Sequence, residues 1–231
     1  MSGLWHCKNP ALFEKEKDEV EARYPELHFR VIGDVVRVRG TFPIVCEGQV
    51  LDRYSVELLL ARDHPKSLPL VREIGGRIPR TPERHVNQDG TACVLLPDQR
   101  WEVWPIGSPL LDFLNGPVRN FFLGQSLVER GDPWPFGQWG HGARGIIEYY
   151  SGLLDTQDLL VISRYLECLV AKKVKGHWPC PCGSGKRLRD CHTGNVRDLQ
   201  EKIARKDAAY SLGHLRRWME TAAAGVLESG R

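Results

Sequence analysis

The sequence predicts an α+β fold, in which one helix and an antiparallel sheet precede a group of helices. Three observations lead to this prediction. Apolar residues recur at helical spacing near the N-terminus, apolar and polar residues then alternate over several segments, and helical spacing returns after residue 108. A run of strands followed by a run of helices is typical of the α+β class. The length of 231 residues fits one domain of ordinary size with an appendage.

The first helix is predicted to begin at Asn9-Pro10. Asparagine is a good N-cap, and proline suits the first helical position. Phe13, Val20 and Tyr24 follow at intervals of seven and four residues, which places them on one helix face. The next residue is a proline, which ends the helix.

Four strand-like segments are predicted to form an antiparallel meander. Residues 27–32 and 35–42 flank Gly33-Asp34, a two-residue hairpin signal. Residues 54–60 alternate between apolar and polar side chains, and a short apolar segment at 71–74 follows. Consecutive strands joined by short loops favour neighbouring antiparallel pairs.

After residue 108, apolar residues recur at helical spacing in three segments. One helix is predicted to begin near Ser108-Pro109, with a kink at Gly116-Pro117. A second covers residues 156–172, and a third covers residues 196–227 with a weak point at Gly213.

Composition and charge narrow the functional classes. Apolar residues make up 42% and charged residues 26%, which excludes a collagen, a coiled-coil rod or a disordered chain. No run of eighteen apolar residues and no secretory signal is visible, so we expect a cytoplasmic protein without a membrane partner. Residues 172–231 hold 13 Lys and Arg against 6 Asp and Glu, whereas residues 1–171 hold 19 against 23. The basic tail indicates either an acidic partner or a solvated helix surface, and we do not expect nucleic acid to be the partner.

Seven cysteines, an odd number, do not form the pattern of a secreted disulfide framework. Cys46 and Cys168 lie in apolar runs and are predicted to be buried free thiols. Cys180, Cys182 and Cys191 lie within twelve residues of one another, beside a histidine. This crowding indicates a metal site.

The cluster of Cys180, Cys182, Cys191 and His192 supplies a complete tetrahedral shell for Zn²⁺ with no position left for water, which predicts a structural zinc ion. The order Cys-x-Cys, eight residues and Cys-His, with Gly-Ser-Gly-Lys inside, resembles the SEC-C motif over residues 179–193. That resemblance implies a zinc knuckle that docks a protein or the ribosome.

Cys93 lies at the end of the run His-Val-Asn-Gln-Asp-Gly-Thr-Ala-Cys, which begins at His85. This run resembles the active-site region of ubiquitin-conjugating enzymes, which carry His-Pro-Asn and then Gly-x-x-Cys, followed by a tryptophan and a Ser-Pro helix. The resemblance covers residues 9–150. It implies a ubiquitin-conjugating-enzyme-like fold in which Cys93 carries a thioester, the Asn87 amide stabilises the developing oxyanion, and His85 shapes the loop.

Two departures from the family pattern are present. Val86 replaces the proline of the motif, and the loop between Asn87 and Cys93 is about two residues shorter than in common members of the family. The segment 136–142 resembles a feature of bacterial members of this fold, which act in antiviral defence. The family resemblance implies an activating-type enzyme, a ubiquitin-like modifier and lysines of a target protein as partners.

Three other functions stay open at this stage. A non-catalytic adaptor could use the zinc knuckle and the basic tail to bind a protein or the ribosome. A protein of the same fold could merely bind a ubiquitin-like protein, and a cysteine hydrolase could pair Cys93 with His85 or His141. In the conjugating reaction, Asp98 or His141 could assist deprotonation of the incoming amine, although a solvated surface position is the simpler expectation for both.

The predicted organisation has four parts. A catalytic domain covers residues 9–150, a helical connector 151–175, the zinc knuckle 176–195 and a final helix 196–231. The last three parts together are expected to select targets or to position the activating enzyme.

Overall fold

The computed structural model describes residues 4–136, 140 and 142–229, with side chains up to residue 222. The chain forms two compact units. The first contains Met1–Leu95 and Glu102–Gln138, and the second contains Leu96–Trp101 and Trp139–Arg231. The second unit therefore includes residues 139–150, which the sequence analysis assigned to the catalytic domain.

The first unit begins with a short helix α1, Trp5–Lys8, and then α2, Pro10–Arg23. The predicted cap at Asn9 is confirmed, because its side-chain oxygen accepts a hydrogen bond of 3.2 Å from the backbone N–H of Leu12. This bond satisfies one of the N–H groups that the first helical turn leaves without an intrahelical partner.

A four-stranded antiparallel sheet follows, with its strands in the order β1-β2-β3-β4. The strands are β1 Leu27–Ile32, β2 Val35–Cys46, β3 Gln49–Leu60 and β4 Leu70–Glu73. The predicted α+β class and meander are confirmed. β2 and β3 extend further than the alternation indicated, since they continue to a tight turn at Glu47-Gly48, where both residues have positive φ.

The core of the first unit lies between one face of this sheet and the helices. Alternate residues of β2 and β3 point inward, as the pleat requires. Fully buried side chains include Val36, Val38, Phe42 and Ile44 of β2, Tyr54, Val56, Leu58 and Leu60 of β3, and Val20, Leu110, Phe113, Leu114, Val118 and Phe122 from helical segments. Burial of each such side chain contributes about 1.5–3 kcal/mol before the entropy of ordering is subtracted.

The helix predicted near residue 108 is interrupted. It begins as α4, Leu110–Phe113, widens into a π-helical turn over Leu114–Val118, and continues as α5, Arg119–Glu129. Pro117 lies inside the π turn. A proline lacks the N–H and clashes with the carbonyl four residues earlier, so the wider turn accommodates it at the predicted kink.

The second unit is helical. It contains α6 Ala143–Leu154, α7 Leu159–Val170, α8 Thr193–Lys202 and α9 Arg205–Ser229. The short helix α3, Arg100–Val103, begins in this unit and ends in the first. Within the described ranges, no helix is both long and apolar enough to cross a membrane.

The sequence prediction for the C-terminal helix was wrong in one respect. The break lies at residues 203–204, and Gly213 lies within α9. Ile203 adopts an extended conformation and its side chain is 2% exposed, so its burial stabilises the interruption. Helix α6 was not predicted.

Gly40 provides a test of the packing of the first unit. A Cβ atom at Gly40 would lie 1.7 Å from the backbone oxygen of Glu26, whereas a Cβ atom at Gly33 would have no neighbour within 4 Å. We expect Gly40→Ala to lower the free energy of unfolding by about 2–4 kcal/mol, because backbone atoms must move. Gly33→Ala is the matched control and should cost about 1–2 kcal/mol for its left-handed backbone alone. Denaturant unfolding measures both values, and an equal loss in the two variants would contradict the proposed clash.

Candidate active site and metal-binding cluster

The segment that precedes Cys93 is a small hairpin formed by residues 86–92, which we call the Cys93 hairpin. Val86 and Ala92 form an antiparallel bridge at its base. At its tip the N–H of Gly90 donates to the carbonyl of Asn87 over 2.9 Å, and the N–H of Asn87 donates to the carbonyl of Thr91 over 2.9 Å. Gly90 has φ +82°, a conformation that favours glycine. These bonds define a tight turn over residues 87–90.

Backbone hydrogen bonds attach this hairpin to strand β4. The N–H of Ala92 donates to the carbonyl of Val71 over 2.8 Å, and Arg72 and Thr91 form an antiparallel bridge. The N–H of Cys93 donates to the carbonyl of His85 over 2.8 Å. The sheet edge therefore fixes the backbone after the turn, the pairing within the hairpin fixes the backbone before it, and Cys93 follows directly.

Cys93 and Asn87, both predicted site residues, are brought together. The Cys93 side chain is exposed, and its Sγ lies 3.5 Å from Oδ1 of Asn87. Cys93 is thus an exposed residue with a carboxamide beside its thiol. The oxygen of the carboxamide, rather than its NH₂ group, faces the sulfur.

Two further residues of the hairpin complete a chain of hydrogen bonds. Nδ2 of Asn87 donates to Oγ1 of Thr91 over 2.9 Å, and that hydroxyl donates to Oδ1 of Asp89 over 2.6 Å. The same Asp89 oxygen accepts the backbone N–H of Thr91 over 2.9 Å. Neither Thr91 nor Asp89 was among the site residues predicted from the sequence. An aspartate two residues before a threonine in a turn is a local hydrogen-bonding pattern that could have indicated them.

The environment of the hairpin shifts two pKa values. Burial raises the pKa of the Cys93 thiol by desolvation, and the nearby Asp89 charge raises it further. Hydrogen bonds from the Thr91 side chain and backbone lower the pKa of Asp89. Asp89 is therefore an ionised acceptor at neutral pH, whereas Cys93 is mainly protonated.

His85, the third predicted residue, shapes the loop through its backbone. It adopts a left-handed conformation with φ +52°, and its carbonyl accepts the Cys93 N–H. Its ring lies 4.5 Å from the ring of Trp134, centroid to centroid. These contacts hold the base of the hairpin.

The four predicted metal ligands meet at one site in the second unit. Their ligand atoms all lie within 4.8 Å of one another, so the cluster could hold a metal ion. Sγ of Cys182 lies 3.4 Å from Sγ of Cys180 and 3.7 Å from Sγ of Cys191. Nδ1 of His192 lies 3.3 Å from Sγ of Cys180 and 3.2 Å from Sγ of Cys191.

Local backbone bonds assemble this cluster. Pro179 and Arg187 form an antiparallel bridge, and the N–H of Cys180 donates to the carbonyl of Lys186 over 2.8 Å. The turn between them requires positive φ at Gly183, +79°, which glycine adopts without strain. The first pair of ligands therefore lies on a short hairpin, and the second pair lies where helix α8 begins.

The other residues singled out from the sequence are not placed at either of these two sites. Asp98 is 1% exposed, contrary to the expected solvated position, and its carboxylate accepts hydrogen bonds from Tyr150 (2.6 Å) and Ser211 (2.7 Å) within the second unit. Burial raises the pKa of Asp98, and these two bonds oppose the rise. Cys168 is buried as predicted, whereas Cys46 is only partly buried. His141 lies outside the described residues.

Comparison of the chain with protein-family models, with curated proteins and with solved structures finds no match. The chemistry of the two sites is therefore inferred from their own geometry.

The exposure and raised pKa of Cys93 predict its reaction with iodoacetamide. Alkylation requires the thiolate, so the rate at Cys93 should rise with pH to a midpoint above about 8.5, the ordinary cysteine value. Cys168 should stay unmodified in the folded protein because it is buried. Peptide mapping by mass spectrometry at a series of pH values measures both. A midpoint below 8.5, or equal modification of the two residues, would contradict this description.

Proposed function

We propose that this protein is a ubiquitin-conjugating-type acyltransferase that carries a ubiquitin-like modifier as a thioester on Cys93. The observation that carries the proposal is the exposed Cys93 thiol beside the Asn87 carboxamide, on a hairpin that strand β4 holds in place. A thiol is a strong nucleophile once ionised, and a carboxamide is a suitable oxyanion donor. The α+β fold with a four-stranded meander is compatible with a ubiquitin-conjugating-enzyme-like domain.

The first step is transthiolation. The Cys93 sulfur attacks the carbonyl carbon of a modifier that an activating-type enzyme holds as a thioester. A new carbon–sulfur bond forms at Cys93, the bond to the activating enzyme breaks, and the Cys93 proton passes to the departing sulfur. One thioester replaces another, so no further energy source is required at this step.

The second step transfers the modifier to a lysine of the target protein. The amine nitrogen attacks the thioester carbon, the carbon–nitrogen bond forms, and Cys93 leaves as a thiolate that takes up the proton lost by the amine. Negative charge develops on the carbonyl oxygen in between. A donor at Asn87 would stabilise this charge by about 2.7–4 kcal/mol. His85 acts by holding the loop.

The partners, the biological context and the cellular location of this reaction are predictions from the family resemblance. An activating-type enzyme, a ubiquitin-like modifier and lysine-bearing targets are the proposed partners, and antiviral defence in bacteria is the proposed context. The proposed location is the cytoplasm.

We further propose that the cluster of Cys180, Cys182, Cys191 and His192 holds a structural Zn²⁺ ion. Tetrahedral zinc with bonds of about 2.3 Å to sulfur and 2.0–2.1 Å to nitrogen places sulfurs about 3.8 Å apart and sulfur and nitrogen about 3.6 Å apart. Four of the six ligand-atom separations, 3.4–3.7 Å between sulfurs and 3.2–3.3 Å between sulfur and nitrogen, are slightly shorter than these values, and all four ligand atoms lie within 4.8 Å of one another. Three thiolates and one imidazole leave no position for a reacting water. The ion would stabilise a knuckle that resembles the SEC-C motif.

Charging at Cys93 tests the acyltransferase proposal. The protein is mixed with ATP and with an activating enzyme and ubiquitin-like modifier from the same genome, and adducts are resolved on a non-reducing gel. We expect a dithiothreitol-sensitive adduct with the wild type, none with Cys93→Ala, and a dithiothreitol-resistant ester with Cys93→Ser. The matched control is Cys7→Ala, which removes another exposed thiol and should charge normally.

A reducible adduct on Cys93→Ala would overturn the assignment of the nucleophile. Charging absent from the wild type, in a mixture where the activating enzyme itself becomes charged, would favour the non-catalytic adaptor instead.

Metal content tests the zinc proposal. Purified protein should contain one zinc per chain by inductively coupled plasma mass spectrometry, and Cys191→Ser should lose most of it, because one of four ligands is removed. A chelator should lower the melting temperature of the wild type, since metal binding is coupled to folding. Cys93→Ser is the matched control and should retain zinc. Equal zinc content in the two variants would contradict the assignment.

A further inference from the structure

We propose that Thr91 is a positioning residue that holds the Asn87 carboxamide with its oxygen toward Cys93, and thereby keeps the thiol protonated while no modifier is bound. The hydrogen-bond order in the hairpin carries this inference. Its relevance to acyl transfer rests on the proposed function, but its chemical consequence at Cys93 does not.

The direction of each hydrogen bond in this series follows from its last acceptor, the Asp89 carboxylate. The ionised Asp89 carboxylate can only accept, so the Thr91 hydroxyl, 2.6 Å away, donates its single proton to it. The hydroxyl can then only accept from Asn87, so the group 2.9 Å from it must be the NH₂ of the carboxamide. The carboxamide oxygen is consequently turned toward Sγ of Cys93, 3.5 Å away.

This orientation favours the neutral thiol. A carbonyl oxygen can accept the S–H proton of Cys93, but it offers nothing to a thiolate. Turning the carboxamide by half a rotation would bring the NH₂ group of Asn87 to the sulfur and stabilise the thiolate. That rotation breaks the bond to Thr91, so the threonine hydroxyl opposes it.

The burial of Thr91 strengthens its hold on the orientation of the Asn87 carboxamide. Its side chain is 7% exposed, whereas Asn87, Asp89 and Cys93 are exposed. Water therefore competes poorly for the threonine hydroxyl. The Thr91 backbone is held separately, through its bridge to Arg72 and its bond to Asn87. Removal of the hydroxyl alone should leave the hairpin in place.

The charged groups around the hairpin are the same with or without this hydroxyl. Among the described residues they include Asp89 on the turn, whose charge acts on Cys93, Arg72 on β4, whose charge acts on Asp89, and Arg80, whose guanidinium packs over Gly90. A change in the ionisation of Cys93 on removal of the Thr91 hydroxyl would therefore report the carboxamide orientation rather than a lost charge.

The test compares Thr91→Val with Thr91→Ser in the full-length protein. Valine keeps the shape and removes the hydroxyl, whereas serine keeps the hydroxyl. The pH midpoint of Cys93 alkylation by iodoacetamide is read from the Cys93 peptide by mass spectrometry. Loss of one hydrogen bond corresponds to about fivefold more thiolate below the midpoint, so Thr91→Val should lower the midpoint by about 0.7 pH. Thr91→Ser should keep the wild-type midpoint.

Two outcomes would overturn the proposal: a folded Thr91→Val with an unchanged midpoint, or a Thr91→Ser that shifts as far as the valine variant. If Thr91→Val fails to fold, nuclear Overhauser contacts in the wild type decide. The Asn87 amide hydrogens should lie closer to the Thr91 side chain than to the Cys93 β-hydrogens, and the reverse would reject the orientation. Since none of these measurements uses a modifier, their failure is distinct from failure of the charging experiment.

Discussion

The pairing of the Cys93 hairpin with β4 is the constraint on which the proposed chemistry depends. The bond from the Ala92 N–H to the Val71 carbonyl continues the hydrogen bonding of the sheet into the turn, and the Cys93 N–H is bound to the carbonyl of His85. Five residues lie between Asn87 and Cys93 in the chain, yet the turn brings Oδ1 of Asn87 to 3.5 Å from Sγ of Cys93. A sheet edge is a rigid support, so the fold fixes the position of the Asn87 side chain relative to the Cys93 thiol.

The raised pKa of Cys93 is compatible with its proposed role as a carrier of a thioester. A cysteine hydrolase needs a base within hydrogen-bonding distance to ionise its thiol. Within the described part of the chain, Cys93 Sγ contacts the Asn87 carboxamide, which cannot act as such a base, whereas His141 lies outside the described residues. Exchange between two thioesters is closely balanced and tolerates a thiol that is mainly protonated. A sulfur of high pKa is also a poorer leaving group, so the bound acyl group is retained until a stabilised attack occurs.

The sequence predicted those features that depend on local pattern or donor chemistry. The cap at Asn9, the four strands and the metal ligand set follow from spacing and residue type, and each is present. The positions that depend on tertiary packing were not predictable. Asp98 is buried because Tyr150 and Ser211, which lie 52 and 113 residues away in the chain, supply its hydrogen bonds. The helix break before α9 depends likewise on a pocket for Ile203, which no periodicity reveals.

Discharge of the Cys93 thioester tests the central claim most directly. The wild type, Asn87→Ala and Asn87→Asp are charged with the modifier, the activating enzyme is quenched, and the loss of adduct to free lysine is followed. The aspartate variant keeps the shape of the side chain and removes its N–H donors. We predict normal charging and a discharge about 10²–10³-fold slower in both variants, the usual cost of one lost oxyanion donor. Discharge at the wild-type rate in both would show that the Asn87 carboxamide does not stabilise the transition state.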